Sequence, residues 1–341
     1  MSMKRLLLFA IGLGLCAMTL SCRRSGEEVN TISYEPGIST DSATEVTDWS
    51  ATISGYAYLP DAFSSDNTER GIIISDESDI DLNNGSVYTI TGNNPDISVI
   101  VSGLSPETTY YYRTFIKDGE NVEYGPVKSF TTTAIDEKTK AHPYVDLGLS
   151  VRWATCNLGG QVETDYGEYY AWGDVPEKKK DDFSWQTYPW YNATDKKLSK
   201  YCTKENCGPF DGLSNLESSD DPATAAWGGN WRTPTEAEIQ ELLTKCTVTS
   251  TMKVVNIEGT VVEVNGILIT NKKTKANIFL PAGGFKQGKS VSGEKVACNY
   301  WSSTLSTGNP YYARYLCTNL GSSYVAGNNR FLGLCIRPVT K

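Results

Sequence analysis

Cys202 and Cys207, in the segment CTKENC, stand with four residues between them, the spacing in this chain most open to chemistry. Two soft thiolates so placed can hold copper, and copper can activate oxygen. A local disulfide, or two unrelated thiols, is the plainer account. The carboxylate pairs Asp181–Asp182 and Asp220–Asp221 have the composition for glycoside hydrolysis or calcium binding. They fall in polar stretches, and Asp221 before Pro222 is better explained as a helix cap. His142 is the only histidine, which excludes a two-histidine zinc site. The base of any Ser-His-Asp triad would have to come from its polar surroundings. No glycine-rich phosphate loop follows a strand. The chemistry-bearing residues therefore read as non-catalytic, with no cofactor and no metal site expected.

A different stretch reads as a binding surface. From Leu305 to Cys335 there is no Lys, Asp, Glu or Gln, while Tyr, Asn, Ser, Thr and Gly abound. Such residues suit recognition loops, since tyrosine offers large contact area for little entropy loss. The candidate ligand-binding residues are Tyr311, Tyr312, Arg314, Tyr315, Asn319, Ser322, Ser323, Tyr324, Asn328 and Asn329. All are expected to point outward from late strands.

The elements that must carry this surface begin with an address. Lys4 and Arg5 precede an apolar run from Leu6 to Leu20, shorter than the roughly 20 residues of a membrane span. It suits a signal peptide over residues 1–21. Ser21 before Cys22 resembles a bacterial lipoprotein processing site, although Thr19 replaces the usual leucine. Lipidation of Cys22 is the expectation, with a polar tether over 22–42. The outer membrane or cell surface of a Gram-negative bacterium is the implied location. Of nine cysteines, Cys16 leaves with the signal and Cys22 carries lipid. The remaining seven, an odd number, leave at least one thiol without an intrachain partner. A net charge of −9 in 341 residues argues against nucleic acid as a partner.

Residues 43–133 read as all-β, with alternation in WSATISGYAYL, a short buried strand in RGIIIS and period-two aromatics through Tyr110 and Tyr112. The segment GLSPETTYYYR and the closing SFTT resemble fibronectin type III domains of bacterial surface proteins. That likeness implies a spacer or a protein-contact module. Residues 134–143 read as a linker. Beyond it, the Trp- and Tyr-bearing excursion Glu177–Asp221 reads as a long structured loop. A short helix is expected from Asp221-Pro222 to Trp227. A second is opened by the capping box of Thr235 and Glu238, burying Ile239, Leu242, Leu243 and Cys246. Strands follow in GTVVEVNG, GILITN, NIFLPAGGF, NYWSST, YYARYLCT and LCIRPV. The fold class is thus multidomain: an N-terminal all-β sandwich, then an α+β domain over 144–341.

The ordered set YVDLGLSVRWATCNLG, YGEYYAWGD, WGGNWRTPTEAEIQELL, IFLPAGGF, YWSST and IRPV resembles the Fibrobacter succinogenes major paralogous domain family. The resemblance spans Tyr144 to Val339. It implies a C-type lectin-like fold on a surface lipoprotein, and scaffold roles for Trp153, Trp172, Trp231, Trp301 and Arg337. Buried indoles should bond loop carbonyls, and Arg337 should anchor a carboxylate or carbonyls. Thr318 departs from the family, which places a large apolar residue there. The calcium-dependent sugar motifs of animal C-type lectins are absent, so glycan binding would rest on stacking and hydrogen bonds. Formylglycine-generating enzymes share the lectin-like fold and its two-cysteine spacing, but their cysteines come late in the chain. Some similar lectin-like proteins are diversified at adenines, and the lack of Lys, Glu, Gln, Met and Trp over 305–335 fits that pattern. The expected function is non-catalytic binding of an extracellular glycan or protein. The alternatives are a subunit of a surface appendage and, further off, a copper- and oxygen-dependent enzyme using Cys202 and Cys207.

Overall fold

The computed structural model describes residues 34–59, 68–90, 94–175, 180–257, 260–319 and 321–341. The signal segment, Cys22 and most of the tether lie outside the described residues. The described residues divide into two units: those within 34–45, 52–99 and 109–131 form the first, and those within 46–51, 100–108 and 132–341 the second. Strands dominate both.

In chain order the strands of the all-β region are β1 (Gly37–Thr40), β2 (Ser50–Tyr58), β3 (Thr68–Ser75), β4 (Ser86–Ile90), β5 (Asp96–Ser102), β6 (Thr109–Asp118), β7 (Asn121–Tyr124) and β8 (Lys128–Thr131). One sheet has the order β1-β2-β5; the other is β4-β3-β6-β7, with β8 also paired to β6. Strand β1 falls in the polar stretch read as tether, where Gly37–Thr40 pair with Tyr58–Gly55. Ile72, Ile73 and Ile74 are all buried, so consecutive side chains of β3 are covered on both faces of the sheet. The Tyr112 hydroxyl donates to the Asp41 carbonyl at 2.9 Å and accepts the Ala43 N–H at 2.7 Å. A buried phenol is thereby satisfied at both of its functions.

The second unit opens with α1 (Glu137–Lys140), inside the stretch read as a linker. The Asp136 side chain caps it by accepting from the N–H groups of Lys138 and Thr139. His142 follows, stacked on Trp227 with centroids 3.9 Å apart and planes within 7°. It is half-buried, not freely solvated. Next come β9 (Tyr144–Val145), β10 (Arg152–Ala154), β11 (Tyr191–Asn192) and β12 (Lys197–Leu198).

Both expected helices form. Helix α2 (Pro222–Trp227) is capped by Asp221, and α3 (Glu236–Lys245) carries the reciprocal Thr235–Glu238 capping box. Ile239, Leu242 and Cys246 are buried and Leu243 packs beside them. The remaining strands are β13 (Cys246–Ile257), β14 (Thr260–Asn271), β15 (Asn277–Pro281), β16 (Phe285–Gln287), β17 (Ser290–Ser292), β18 (Asn299–Leu305), β19 (Tyr312–Asn319), β20 (Ser322–Asn329) and β21 (Val339–Thr340). Three-stranded sheets form in the orders β13-β14-β15, β18-β19-β20 and β21-β10-β9.

Two apolar cores lie on either side of the β18-β19-β20 sheet. Tyr300 and Leu316 join the first, with Trp153, Ile239, Leu242 and Ile267. Trp301, Leu305 and Ala313 join the second, with Trp172 and Phe183. The long loop of residues 180–221 supplies Phe183, Tyr188 and Tyr201 to this second core, so its aromatics are structural. Indole bonding holds for Trp172, Trp190 and Trp301, which donate to Ser302, Gly173 and Tyr170 carbonyls at 2.8 Å each. It does not hold for Trp153, whose buried Nε1 has no partner.

Candidate functional site

The late hairpin is built by β19 and β20, paired without slippage from Tyr312↔Asn329 to Asn319↔Ser322. Its alternation sends successive side chains to two faces. On one face Arg314, Leu316 and Thr318 lie toward α3 and the first core. Leu316 is buried there, and the Arg314 guanidinium donates twice to Glu236 Oε1, at 2.9 and 2.7 Å. Arg314 is thus held by a helix carboxylate 78 residues away. Thr318 is buried, with its hydroxyl accepting the Cys298 N–H at 2.8 Å. The buried hydroxyl is thereby satisfied.

On the other face, Tyr315 meets Trp301 edge-on at 5.9 Å, and burial, followed by its Cys317 neighbour, pushes its hydroxyl pKa up. Tyr324 is 45% exposed, the most open aromatic of the set, and its hydroxyl accepts from the Cys317 thiol at 3.8 Å. Ser322 is exposed and Asn328 half-buried on this face, while Tyr312, Ser323 and Asn329, on the face of Arg314, are half-buried. Tyr311, just before β19, is drawn into the aromatic loop instead. It packs edge-on against Trp185 at 5.6 Å and donates to the Lys196 carbonyl at 3.2 Å. The side chain of Asn319 lies outside the described residues. The ten side chains therefore do not all point outward: Tyr311 and Arg314 are turned into contacts with the loop and α3, while Tyr324 and Ser322 are exposed.

Beside the hairpin tip lies a recess of about 620 Å³ that sequence reasoning missed. Thr318, Ser322 and Ser323 form one wall, Val248 to Met252 of β13 the opposite one, and Ile267 and Cys298 line the bottom. Lys295 and Val296 stand at its rim. The volume falls within the roughly 300–1,000 Å³ of small-ligand clefts. Its hydroxyls and apolar groups can bond and desolvate a ligand. Among the described residues no cluster of His, Cys, Asp or Glu could hold a metal ion.

All seven cysteines of the second unit carry free thiols, and Cys317 alone is not buried. Burial pushes the Cys298 thiol up to about 11 and Cys335 up to about 12. Cys202 is raised by burial as well, and its thiol donates to the Leu198 carbonyl at 3.8 Å. A raised thiol pKa opposes the thiolate character that a reactive or metal-binding pair requires. Asp221 is fully engaged: it caps α2 and accepts both the N–H and the hydroxyl of Thr233. Asp220 accepts from Lys200 at 2.5 Å and from the Tyr201 hydroxyl. Neither carboxylate is left to serve as acid or base.

Neither a scan of protein-family models nor a search of curated proteins gives a match. Among solved structures, the sensor domain of an anti-sigma factor from Pseudobacteroides cellulosolvens is 21% identical. That match covers 30% of this chain and 92% of that one, with a TM-score of 0.23. A redesigned β-sandwich protein is 18% identical over 30% of this chain and all of its own (100%), with a TM-score of 0.23. The fibronectin type-III domain of a human protein is 15% identical over 31% of this chain and 94% of its own, with a TM-score of 0.22. Each similarity concerns a minor part of the chain, and none assigns it a function.

Proposed function

We propose that the chain is a non-catalytic recognition protein of a Gram-negative cell surface, anchored by lipid at Cys22. The second unit is its lectin-like binding head, a member of the major paralogous domain family, and the first a fibronectin type III-like spacer. Its ligand is an extracellular glycan or protein, met without metal or cofactor. The observation that carries this reading is the recess of about 620 Å³ between β13 and the hairpin tip. Rigid strands position it, as binding sites require. The test is an array of glycans and surface proteins probed with the full chain. Ser323→Trp, which fills the recess, together with Tyr324→Ala should abolish capture while leaving the melting curve unchanged. Capture that survives both substitutions refutes the location. A second reading, a subunit of a surface appendage, is favoured by the open edge of β13. That reading requires the purified chain to form oligomers.

A further inference from the structure

Among the described residues strand β13 pairs with β14 alone, so its other side is a sheet edge. The pairing runs unbroken over twelve residue pairs, from Cys246↔Asn271 to Ile257↔Thr260, with no bulge. Proteins guard such edges with proline, bulges or outward lysines. This one has no proline, and its single lysine is diverted. The Lys253 Nζ bonds Glu163 and lies 5.0 Å from the centre of the Phe279 ring.

The direction of each backbone group on β13 follows from its ends. The Lys272 N–H donates to the Lys245 carbonyl at 3.3 Å, immediately before the first ladder pair. In an antiparallel pair bonding residues alternate, so odd-numbered β13 residues turn toward β14 and even-numbered ones turn away. Cys246, the first even residue, accordingly sends its N–H to the Leu242 carbonyl of α3. Val248, Ser250, Met252 and Val254 turn their N–H and C=O groups to the free side. None of these groups has a partner among the described residues.

Three of those four, Val248, Ser250 and Met252, also line the recess, across from Thr318, Ser322 and Ser323. Met252, Val254 and Val296, exposed by 45%, 62% and 70%, extend the apolar surface outward. Among the described residues Lys295 is the only charged one lining the recess, in a chain of net charge −9.

We propose that β13 captures an extended peptide segment of a partner protein by strand addition. The peptide's main chain bonds Val248, Ser250, Met252 and Val254, an apolar or β-branched side chain enters the recess, and a carboxylate meets Lys295. This is the mode in which backbone bonds give affinity and pockets for alternate side chains give specificity. The proposal rests on the recognition reading and names its ligand class.

The experiment pans a phage-displayed random heptapeptide library on the full chain. Enriched sequences should alternate β-branched residues and carry Asp or Glu. Ser250→Pro removes one outward N–H and leaves the β14 ladder intact, since proline is tolerated at a sheet edge. It should weaken the enriched peptides about tenfold or more without lowering the melting temperature. Thr249→Pro, whose N–H lies in the ladder, should lower it. N-methylation of alternate peptide amides tests the same bonds without altering the protein and should abolish binding in one register only. Lys295→Glu should shift enrichment from acidic to basic peptides. Enriched peptides indifferent to both Ser250→Pro and N-methylation overturn the proposal. So does self-association that Ser250→Pro abolishes in a chain that enriches no peptide, which makes the occupant a second copy. Array capture that is lost with Tyr324→Ala but survives Ser250→Pro overturns strand addition and leaves the recognition reading standing. Failure of panning and array together overturns both.

Discussion

Replacing Arg337 by methionine probes the scaffold at its most concentrated point. The side chain is 1% exposed. It donates to the carbonyls of Ala154 at 3.1 Å, Thr155 at 2.9 Å and Phe279 at 2.9 Å, and to Asn157 Oδ1 at 2.8 Å. No carboxylate is paired with it; burial accordingly lowers its pKa from the ordinary arginine value. The charge is dispersed over oxygen dipoles that tie β10 and its loop to β15. Methionine fills similar space but leaves three buried acceptors and the half-buried Thr155 carbonyl without this donor, at about 1–3 kcal/mol for each buried one. Relief of the buried charge offsets part of that loss, so the net cost should be about 3–5 kcal/mol, the scale seen when one side of a buried polar set is removed. For a unit of this size each kcal/mol shifts Tm by about 2–4 °C, giving a fall of about 6–20 °C. All eight tryptophans belong to the second unit, so tryptophan fluorescence melts read it selectively. A fall below about 2 °C would refute the reasoning, because packing alone would then sustain the scaffold.

Other outcomes follow from the same chemistry. Burial holds the His142 imidazole below its ordinary 6.5, so the unfolded chain binds the proton more readily. Its contribution is complete above about pH 6.5 and is lost as pH falls. Denaturant melts between about pH 5.5 and 7 should show this slope, and His142→Phe should flatten it. Among the second-unit thiols, Cys317 should react rapidly with a chromogenic disulfide reagent and the six buried ones slowly. Cys317→Ser should remove the fast phase, and a fast phase that persists would contradict the burial. Cys202→Ser and Cys207→Ser should leave array capture intact; its loss would return the enzyme reading to consideration.

Local signals in the sequence translated well into structure. Thr235 and Glu238 announce a capping box, and Asp221-Pro222 a helix start, because such motifs close their hydrogen bonds within a few residues. Arg337 was legible as an anchor of a carboxylate or of carbonyls; its partners are three carbonyls and the Asn157 amide oxygen. Gly266 misled: it reads as a break between two strands, yet it lies inside β14. A Cβ there would stand 2.3 Å from the Leu280 carbonyl, so the glycine serves close approach of β15, not a turn. Strand β13 was hidden because it starts directly at Cys246, the extended C-cap of α3, with no glycine to mark the change. Its Thr-Val-Thr-Ser-Thr run was the available β-branched signal. The recess was illegible, since its lining comes from stretches scattered between residues 248 and 323 that only tertiary packing assembles. The Arg314–Glu236 pair likewise joins distant residues, so a side chain read as free for ligand proves committed to α3.

Hydrogen–deuterium exchange on the full chain, with and without the ligand it captures best from the array, tests the central claim most directly. Slowed exchange at residues 248–254 and 318–323, with the strands of the first unit unchanged, is the predicted result. Protection confined to the first unit, or absent from both walls of the recess, would contradict it.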